Sequence, residues 1–458
     1  MIAETKTRFI RLIKFLLCFG IAFGLTYTIK EPEFTDSQIY VLFLLFFSIG
    51  LWLTEAIPPF AVSLFIIAYL VIALGNPLFN SKPEDIEIYA NTFSSRVIWL
   101  LLGGFFLASA MTKTNLDRAF FRFTTKISGS NPRNLLLGLM LTTMIASMLM
   151  SNTASTAMLM AAVLPLLTSL GKKSQVTKAL LLGIAVSSTT GGMGTIIGTP
   201  PNAIAVGALE SAGKIIYFIQ WMKYGFPLAL IITILFYFVL VRLYLRNSYK
   251  LNQDFIENQE SEVTKESHSQ RRIVAGVIII TVGLWLTTTW HGISVAAVCA
   301  VPLVMLTLTR ILDGKDIRCL PWDTLLLVAG GLSLGLALEK VGLLHHYANK
   351  LITLEVNNIV MLTILAYFTM IVSNFMSNTA ASTVMIPLGM AIFTDLKTEA
   401  ALVIAFSAST SIFLPVSSPT NAIIYSTGFI EQKDFRLGGI LIGLIGPMLA
   451  IIWVLLLS

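Results

Sequence analysis

Long apolar stretches alternate with short polar ones from one end of the chain to the other. A helix needs about 20 apolar residues to cross the hydrocarbon core of a bilayer. On that measure the sequence predicts spans near 9–29, 39–56, 60–75, 97–112, 177–209, 224–241, 273–290, 292–309, 323–339, 400–429 and 437–457. Two of these eleven, 177–209 and 400–429, are broken by proline-containing runs. Two further segments, about 134–169 and 358–393, are apolar except for Ser-Asn-Thr in the middle. Each reads as a re-entrant helical hairpin that enters and leaves on one side, with the polar triplet at its tip. The expected fold is an all-α polytopic membrane protein of about 11 transmembrane helices plus the two hairpins. The first run follows Lys6, Arg8, Arg11 and Lys14 and has no small-residue cleavage site before Lys30, so a retained helix is expected there and not a signal peptide.

Charge tests this layout. With the N-terminus inside, 23 of the 31 Lys and Arg residues fall on inner segments (6–14, 113–133, 172–178, 242–272, 310–318 and 433–436). The outer segments hold Lys30, Lys82, Arg96, Lys214, Lys223, Lys340, Lys350 and Lys397. Basic loops stay on the cytoplasmic side, so an inner N-terminus and an outer C-terminus in a plasma (inner) membrane are expected. Making either hairpin a full span would invert every later loop and spoil the bias. The first hairpin then opens inward and the second outward. The net charge of +7 has its explanation in these loops, and no nucleic-acid partner is implied.

The chain also repeats itself. Met150-Ser151-Asn152-Thr153-Ala154 recurs as Met376-Ser377-Asn378-Thr379-Ala380, and Leu101-Leu102-Gly103-Gly104 parallels Val328-Ala329-Gly330-Gly331. Gly198-Thr199-Pro200-Pro201-Asn202-Ala203 parallels Ser417-Ser418-Pro419-Thr420-Asn421-Ala422. Five spans separate the two halves, so they carry opposite topology. This gives an N-terminal helix and outer loop (1–38), a first inverted repeat (39–245), a polar cytoplasmic linker (246–272) and a second inverted repeat (273–458). Inverted repeats with paired interruptions mark secondary transporters, and the interruptions point to the binding site.

Polar, unwound backbone at membrane depth is tolerated only inside protein or beside a water-filled cavity. Ser, Thr and Asn favour the N-cap of a helix and Pro favours its first turn. Ser151–Thr153, Ser377–Thr379, Thr199-Pro200 and Ser418-Pro419 therefore each read as a helix start. Helix N-termini carry free N–H groups and a positive dipole end, and bind carboxylate or phosphate without a basic side chain. Carbonyls and neutral side-chain oxygens at the same tips suit a hard cation. Ser147 and Ser373 precede Ser151 and Ser377 by four residues, which places a second hydroxyl on the same helix face. No Lys, Arg, Asp or Glu lies within 142–165 or 362–392. A transported anion that meets no fixed positive charge calls for mobile cations, and sodium would supply them.

Other chemistry-bearing residues read as structural. Cys18, Cys299 and Cys319 give no disulfide or zinc spacing and are expected as packing residues. Gly192-Met193-Gly194-Thr195 lacks the Lys and the preceding strand of a phosphate loop. Glu55 reads as a contact or cap at a span end, and His345 and His346 as solvated side chains of an outer loop. Nothing at membrane depth suggests an enzyme.

The two Ser-Asn-Thr motifs, Thr-Glu-Ala-Ile-Pro at 54–58, Gly-Thr-Pro-Pro-Asn at 198–202 and Leu414-Pro415-Val416 before the second break resemble the divalent anion/sodium symporters. The likeness spans nearly the whole chain. It implies a sodium-coupled carrier of a C4-dicarboxylate such as succinate, malate or fumarate, with a citrate or sulfate carrier, or a sodium-independent exchanger of the same fold, as alternatives. It also implies a homodimer in the lipid bilayer. Substrate contacts would fall on Ser151, Asn152, Thr153, Ser377, Asn378 and Thr379, helped by Thr199, Ser418 and Pro419. One sodium would take Ser147, Ser151, Asn152 and the carbonyl of Gly198; the other would take Ser373, Ser377, Asn378 and the carbonyl of Ser417. Many dicarboxylate members read Ala-Thr-Pro-Pro-Asn where this chain has Ser417-Ser418-Pro419-Thr420-Asn421, and Thr is common at position 373. Both departures lie in the second half-site.

Overall fold

The structure is a computed structural model that describes residues 2–458 except 81, 82, 84, 117–123, 125, 126, 173, 247–264, 353–355 and 416. Most of the expected linker and Val416 lie outside the described residues, which form helices and loops with no strand. The main helices are α1 (Ile2–Ile29), α2 (Asp36–Thr54), α3 (Pro59–Gly75), α4 (Arg96–Lys113), α5 (Pro132–Leu149), α6 (Asn152–Leu170), α7 (Gln175–Gly191), α8 (Pro200–Ser211) and α9 (Phe218–Tyr244). They continue as α10 (Lys265–Leu286), α11 (Ala300–Leu308), α12 (Trp322–Lys340), α13 (Leu343–Ile352), α14 (Asn358–Ser373), α15 (Asn378–Ile392), α16 (Lys397–Ala408), α17 (Pro419–Ser426) and α18 (Gln432–Leu457).

Among the described residues, nine helices are long and apolar enough to cross a membrane, and the arms α5 and α6 are two of them. Their outward surfaces are apolar, as at Phe23, Phe238 and Ile280, which suits a lipid surround. Two helical hairpins are present. A two-residue turn at Met150–Ser151 joins α5 to α6, and a short turn ending at Ser377 joins α14 to α15. In each half a helix precedes the hairpin (α4, α12), and an interrupted helix (α7–α8, α16–α17) and a long helix (α9, α18) follow it.

Side chains that bridge loops join segments assigned by charge to one side. Lys113 pairs with Asp316 and Asp313, Arg133 reaches the carbonyls of Leu245 and Arg246, and Arg271 reaches that of Thr114. Lys178 lies 2.8 and 3.0 Å from the two oxygens of the buried Asp434, tying α7 to α18. At the opposite end Arg96 pairs with Glu210. There Glu31 also accepts from Lys350 and His346, and those bonds hold its carboxyl below the usual carboxylate range.

Several expectations change. The breaks are longer than the proline motifs: the α-helical path gives way to a 3-10 turn at 192–194 and is lost over 195–199 in the first, and among the described residues it is lost over 409–415 and 417–418 in the second. Small and hydroxylated residues such as Ser, Thr and Gly fit either a helix or a loop, so the apolar pattern does not show where α7 and α16 stop. The span expected at 292–309 is interrupted at Cys299, between Val295–Val298 and Ala300–Leu308. His345 and His346 do not sit in a loop. They lie on α13, an amphipathic helix that folds against α15, with His346 packed edge-on to Phe34. Cys18 and Cys299 are buried packing residues, but Cys319 is exposed. Glu55 is the C-cap of α2, in the left-handed conformation at φ 48°.

Candidate functional site

The hairpin tips and the helix breaks meet at one cavity of about 670 Å³. Its lining includes Ser151, Asn152, Thr153, Thr199, Ser377, Asn378, Thr379, Ser418 and Pro419, the nine residues expected to touch an anion. Gly198 and Ser417 also line it. Ser147 and Ser373 do not; both are fully buried one turn behind the tips. The wall opposite comes from α3, α4 and α12, through Pro59, Phe60, Leu101, Phe105, Pro321, Asp323, Thr324 and Leu327.

Four helix N-termini end at this cavity. Ser151 caps α6 by accepting from the Ala154 N–H, and Ser377 caps α15 by accepting from the Ala380 N–H. Each such cap is worth about 0.5–2 kcal/mol. Ser418 caps α17 through the Asn421 N–H, while Thr199 precedes α8 without a side-chain cap bond. α8 opens with Pro200 and Pro201, which have no N–H, whereas α17 has Thr420 after Pro419. Among the described lining residues Asp323 carries the one charge, and no Lys or Arg is present. Any positive potential at the tips therefore comes from backbone dipoles.

Behind each tip lies a cluster of oxygens. In the first, the Ser147 hydroxyl lies 2.7 Å from Asn152 Oδ1 and 2.6 Å from the Ser188 carbonyl. Ser188 Oγ in turn donates to the Asn152 carbonyl at 2.7 Å and sits 3.0 Å from Ser155 Oγ. In the second, the Ser373 hydroxyl lies 2.8 Å from Asn378 Oδ1 and 3.0 Å from the Ala408 carbonyl. Ser411 Oγ reaches the same Asn378 oxygen at 2.7 Å. The Nδ2 groups of Asn152 and Asn378 make no hydrogen bond within the described protein. Each Asn thus sends its oxygen toward the cluster and keeps two donors for the cavity. Among the described residues no group of His, Cys, Asp and Glu is arranged to hold a metal, so the donor set is neutral oxygen, which fits a hard monovalent cation.

The loops of the two breaks are held open by matched amides. Asn202 Nδ2 donates to the carbonyls of Gly192 and Thr195 at 2.8 and 2.7 Å. Asn421 Nδ2 donates to those of Ile412 and Leu414 at 3.2 and 2.9 Å. Thr189 and Thr420, one from each half, are in hydroxyl contact at 3.3 Å. Ser188, Ser411, Gly192 and the two amides are contacts of the tips and breaks that the sequence alone does not place at the site. A Cβ at Gly192 would run into Asn152 Oδ1 and come within 3.2 Å of the Gly198 carbonyl. The Gly192-Met193-Gly194 run is a single 3-10 turn whose first glycine backs directly onto Asn152 of the first tip.

A family model described as "Sodium:sulfate symporter transmembrane region" matches residues 8–457. The chain belongs to that family. The expectation of a carrier and not an enzyme agrees with this membership. A sodium-dependent dicarboxylate transporter, SdcS of Staphylococcus saprophyticus, is 28% identical over 468 residues, covering 94% of this chain and 88% of its own. SdcS of Staphylococcus aureus is 28% identical over 449 residues, with 90% and 85% covered. Among solved structures, the YdaH transporter of Alcanivorax borkumensis superposes with a TM-score of 0.60 over 86% of this chain and 98% of its own. Its identity is 11%, so the likeness is one of fold.

Proposed function

We propose that this symporter-family chain couples sodium to the uptake of a small divalent anion, a C4-dicarboxylate such as succinate, malate or fumarate, by alternating access. One observation carries the reading: four helix N-termini, two of them backed by oxygen clusters, meet at a cavity with no cationic side chain among its described lining residues. Each helix end supplies only about half a charge, so a dianion there is left undercompensated. Two sodium ions make up the difference. Ser151, Asn152, Thr153, Thr199, Ser377, Asn378, Thr379, Ser418 and Pro419 contact the anion. Ser147, Ser151, Asn152 and the Gly198 carbonyl hold one sodium, and Ser373, Ser377, Asn378 and the Ser417 carbonyl hold the other. The names of the staphylococcal relatives support both the ion and the substrate class.

The proposal includes the membrane arrangement. The hairpins are re-entrant, the two halves are inverted repeats, the N-terminus is cytoplasmic, the C-terminus is outside, and the carrier is a homodimer. The basic-residue bias, 23 of 31 on one side, and the pairing of loops within each side support the orientation; the family resemblance supports the dimer.

Coupling of this kind is reciprocal: sodium raises anion affinity, and the anion raises sodium affinity by the same factor. Anion binding to purified protein across a sodium titration, with choline holding ionic strength constant, tests it. Affinity that rises with sodium is the expected result. Binding that ignores sodium removes symport and leaves a sodium-independent exchanger.

A further inference from the structure

We infer that Asp323 is a release residue for the transported anion: a carboxylate at the cavity mouth that weakens dianion binding from that side and gathers cations there. The inference rests on the reading of the cavity as the anion site. Asp323 lines the same cavity as both hairpin tips and is the charged member of that lining. Its side chain is exposed and makes no hydrogen bond or ion pair within the described residues. Asp323 lies on the open side of the cavity, where Phe60, Thr153, Ser377 and Pro419 are also exposed, whereas Thr199, Ser418 and Thr420 are 3%, 7% and 1% exposed.

Helix capping does not explain the residue. It is the second residue of α12, whose N-cap, Pro321, receives no side-chain bond. An acidic side chain in a first turn is tolerated because the helix dipole favours it. That tolerance permits a carboxylate at a position where an anion must pass, and does not account for an unpaired one beside an otherwise uncharged anion cavity.

Like charge at the mouth has a calculable effect. In water and at physiological salt, one carboxylate roughly 7 Å from a dianion disfavours it by a factor of about 2–5. The same field favours sodium by about the square root of that factor, since the ion carries half the charge. Gradients still set the direction of net transport. The carboxylate sets how strongly anion already delivered to the mouth side rebinds and blocks the next cycle.

The test is the half-saturating concentration of succinate, measured separately from each face of oriented membrane vesicles. Wild type, Asp323→Asn, Asp323→Lys and Asp323→Glu are compared at about 0.1 M and about 1 M ionic strength, where the Debye length falls from roughly 10 to 3 Å. Asp323→Asn should bind succinate about 2–5-fold more tightly from the mouth face at the lower salt. Asp323→Lys should exceed it, Asp323→Glu should match wild type, and all should converge at the higher salt. Asn and Lys variants that match wild type, or a shift that salt does not screen, or one equal on both faces, overturns the inference. Asn152→Ala is run alongside. If it transports normally, the cavity reading itself fails; if it is dead while the Asp323 variants behave as wild type, only the release role fails.

Discussion

In the first half-site Asn152 Oδ1 accepts one hydrogen bond, from Ser147, while in the second Asn378 Oδ1 accepts two, from Ser373 and Ser411. The main chain shows the reverse. The Asn152 carbonyl is held by hydroxyls of Ser155 and Ser188, but in the second half Ala381 stands in the place of Ser155, and the hydroxyl of Ser407, which stands in that of Ser188, makes no hydrogen bond among the described residues. The first tip is thus anchored to its neighbour through its backbone and leaves an oxygen lone pair to a cation. The second tip is anchored through the very atom that a cation would use. Counting back from the two proline motifs, Gly192 stands where Ser411 stands, so this exchange together with that of Ser155 for Ala381 separates the two arrangements. Under the proposed assignment the second sodium must compete with a serine, and the first does not.

The comparison makes graded predictions. Asn152→Ala and Asn378→Ala remove the side chain whose oxygen faces the proposed sodium and whose amide faces the proposed anion, so each should lower proteoliposome uptake by roughly a hundredfold or more while size-exclusion profiles stay normal, on the scale of two lost charge-assisted bonds. Gly192→Ala comes next. Its Cβ meets Asn152 Oδ1, and Gly192 has φ −55°, an ordinary helical value. The damage is therefore local, and apparent sodium affinity should fall by about tenfold, the scale of a 1.4 kcal/mol loss. Ser411→Gly should do no such harm.

The serine variants sharpen the contrast. Among the described residues Ser147 is the one hydrogen-bond donor to Asn152 Oδ1, whereas Asn378 keeps Ser411 when Ser373 is lost. Ser147→Ala should raise the half-saturating sodium concentration about tenfold and Ser373→Ala only about 2–4-fold, with saturating sodium restoring anion affinity in both. The double variant Ser373→Ala with Ser411→Ala should then resemble Ser147→Ala. Equal effects of the two single variants would erase the asymmetry. The smallest effect belongs to Ser411→Ala alone. It frees a lone pair on Asn378 and should tighten second-site sodium binding about 2–4-fold, read by sodium titration of anion binding.

Much of this site is legible in the sequence because its parts are local. Ser151 and Ser377 cap the helices that follow them, Pro200 and Pro419 start theirs, and the duplicated motif singles out both tips without any fold. What stays hidden is what a crossing creates. Ser188 matters because α5 and α7 pack closely enough for its carbonyl to meet Ser147, and no spacing in the chain announces that contact. Ser411 is one hydroxyl in a run of several, marked only by where its loop doubles back. α13 is short and carries two His residues and a Lys among its apolar positions, so it falls below any span criterion and reads as loop. The gross layout follows from apolar length; the finer partition of each half-site follows from tertiary contacts between segments far apart in the chain.

One feature of the cavity floor bears on how the carrier responds to acidity. Its donors are backbone N–H groups, amides and hydroxyls, none of which gains or loses a proton in the range where cells live. The floor keeps the same charge at every such pH. A weakening of anion binding at the floor on acidification then originates in the cargo, as a dicarboxylate takes up a proton and turns into a monoanion. A profile for a substrate with weakly acidic groups should follow that compound's own titration curve, whereas sulfate, which stays doubly charged across the same interval, should be held equally well throughout it if it is held at all.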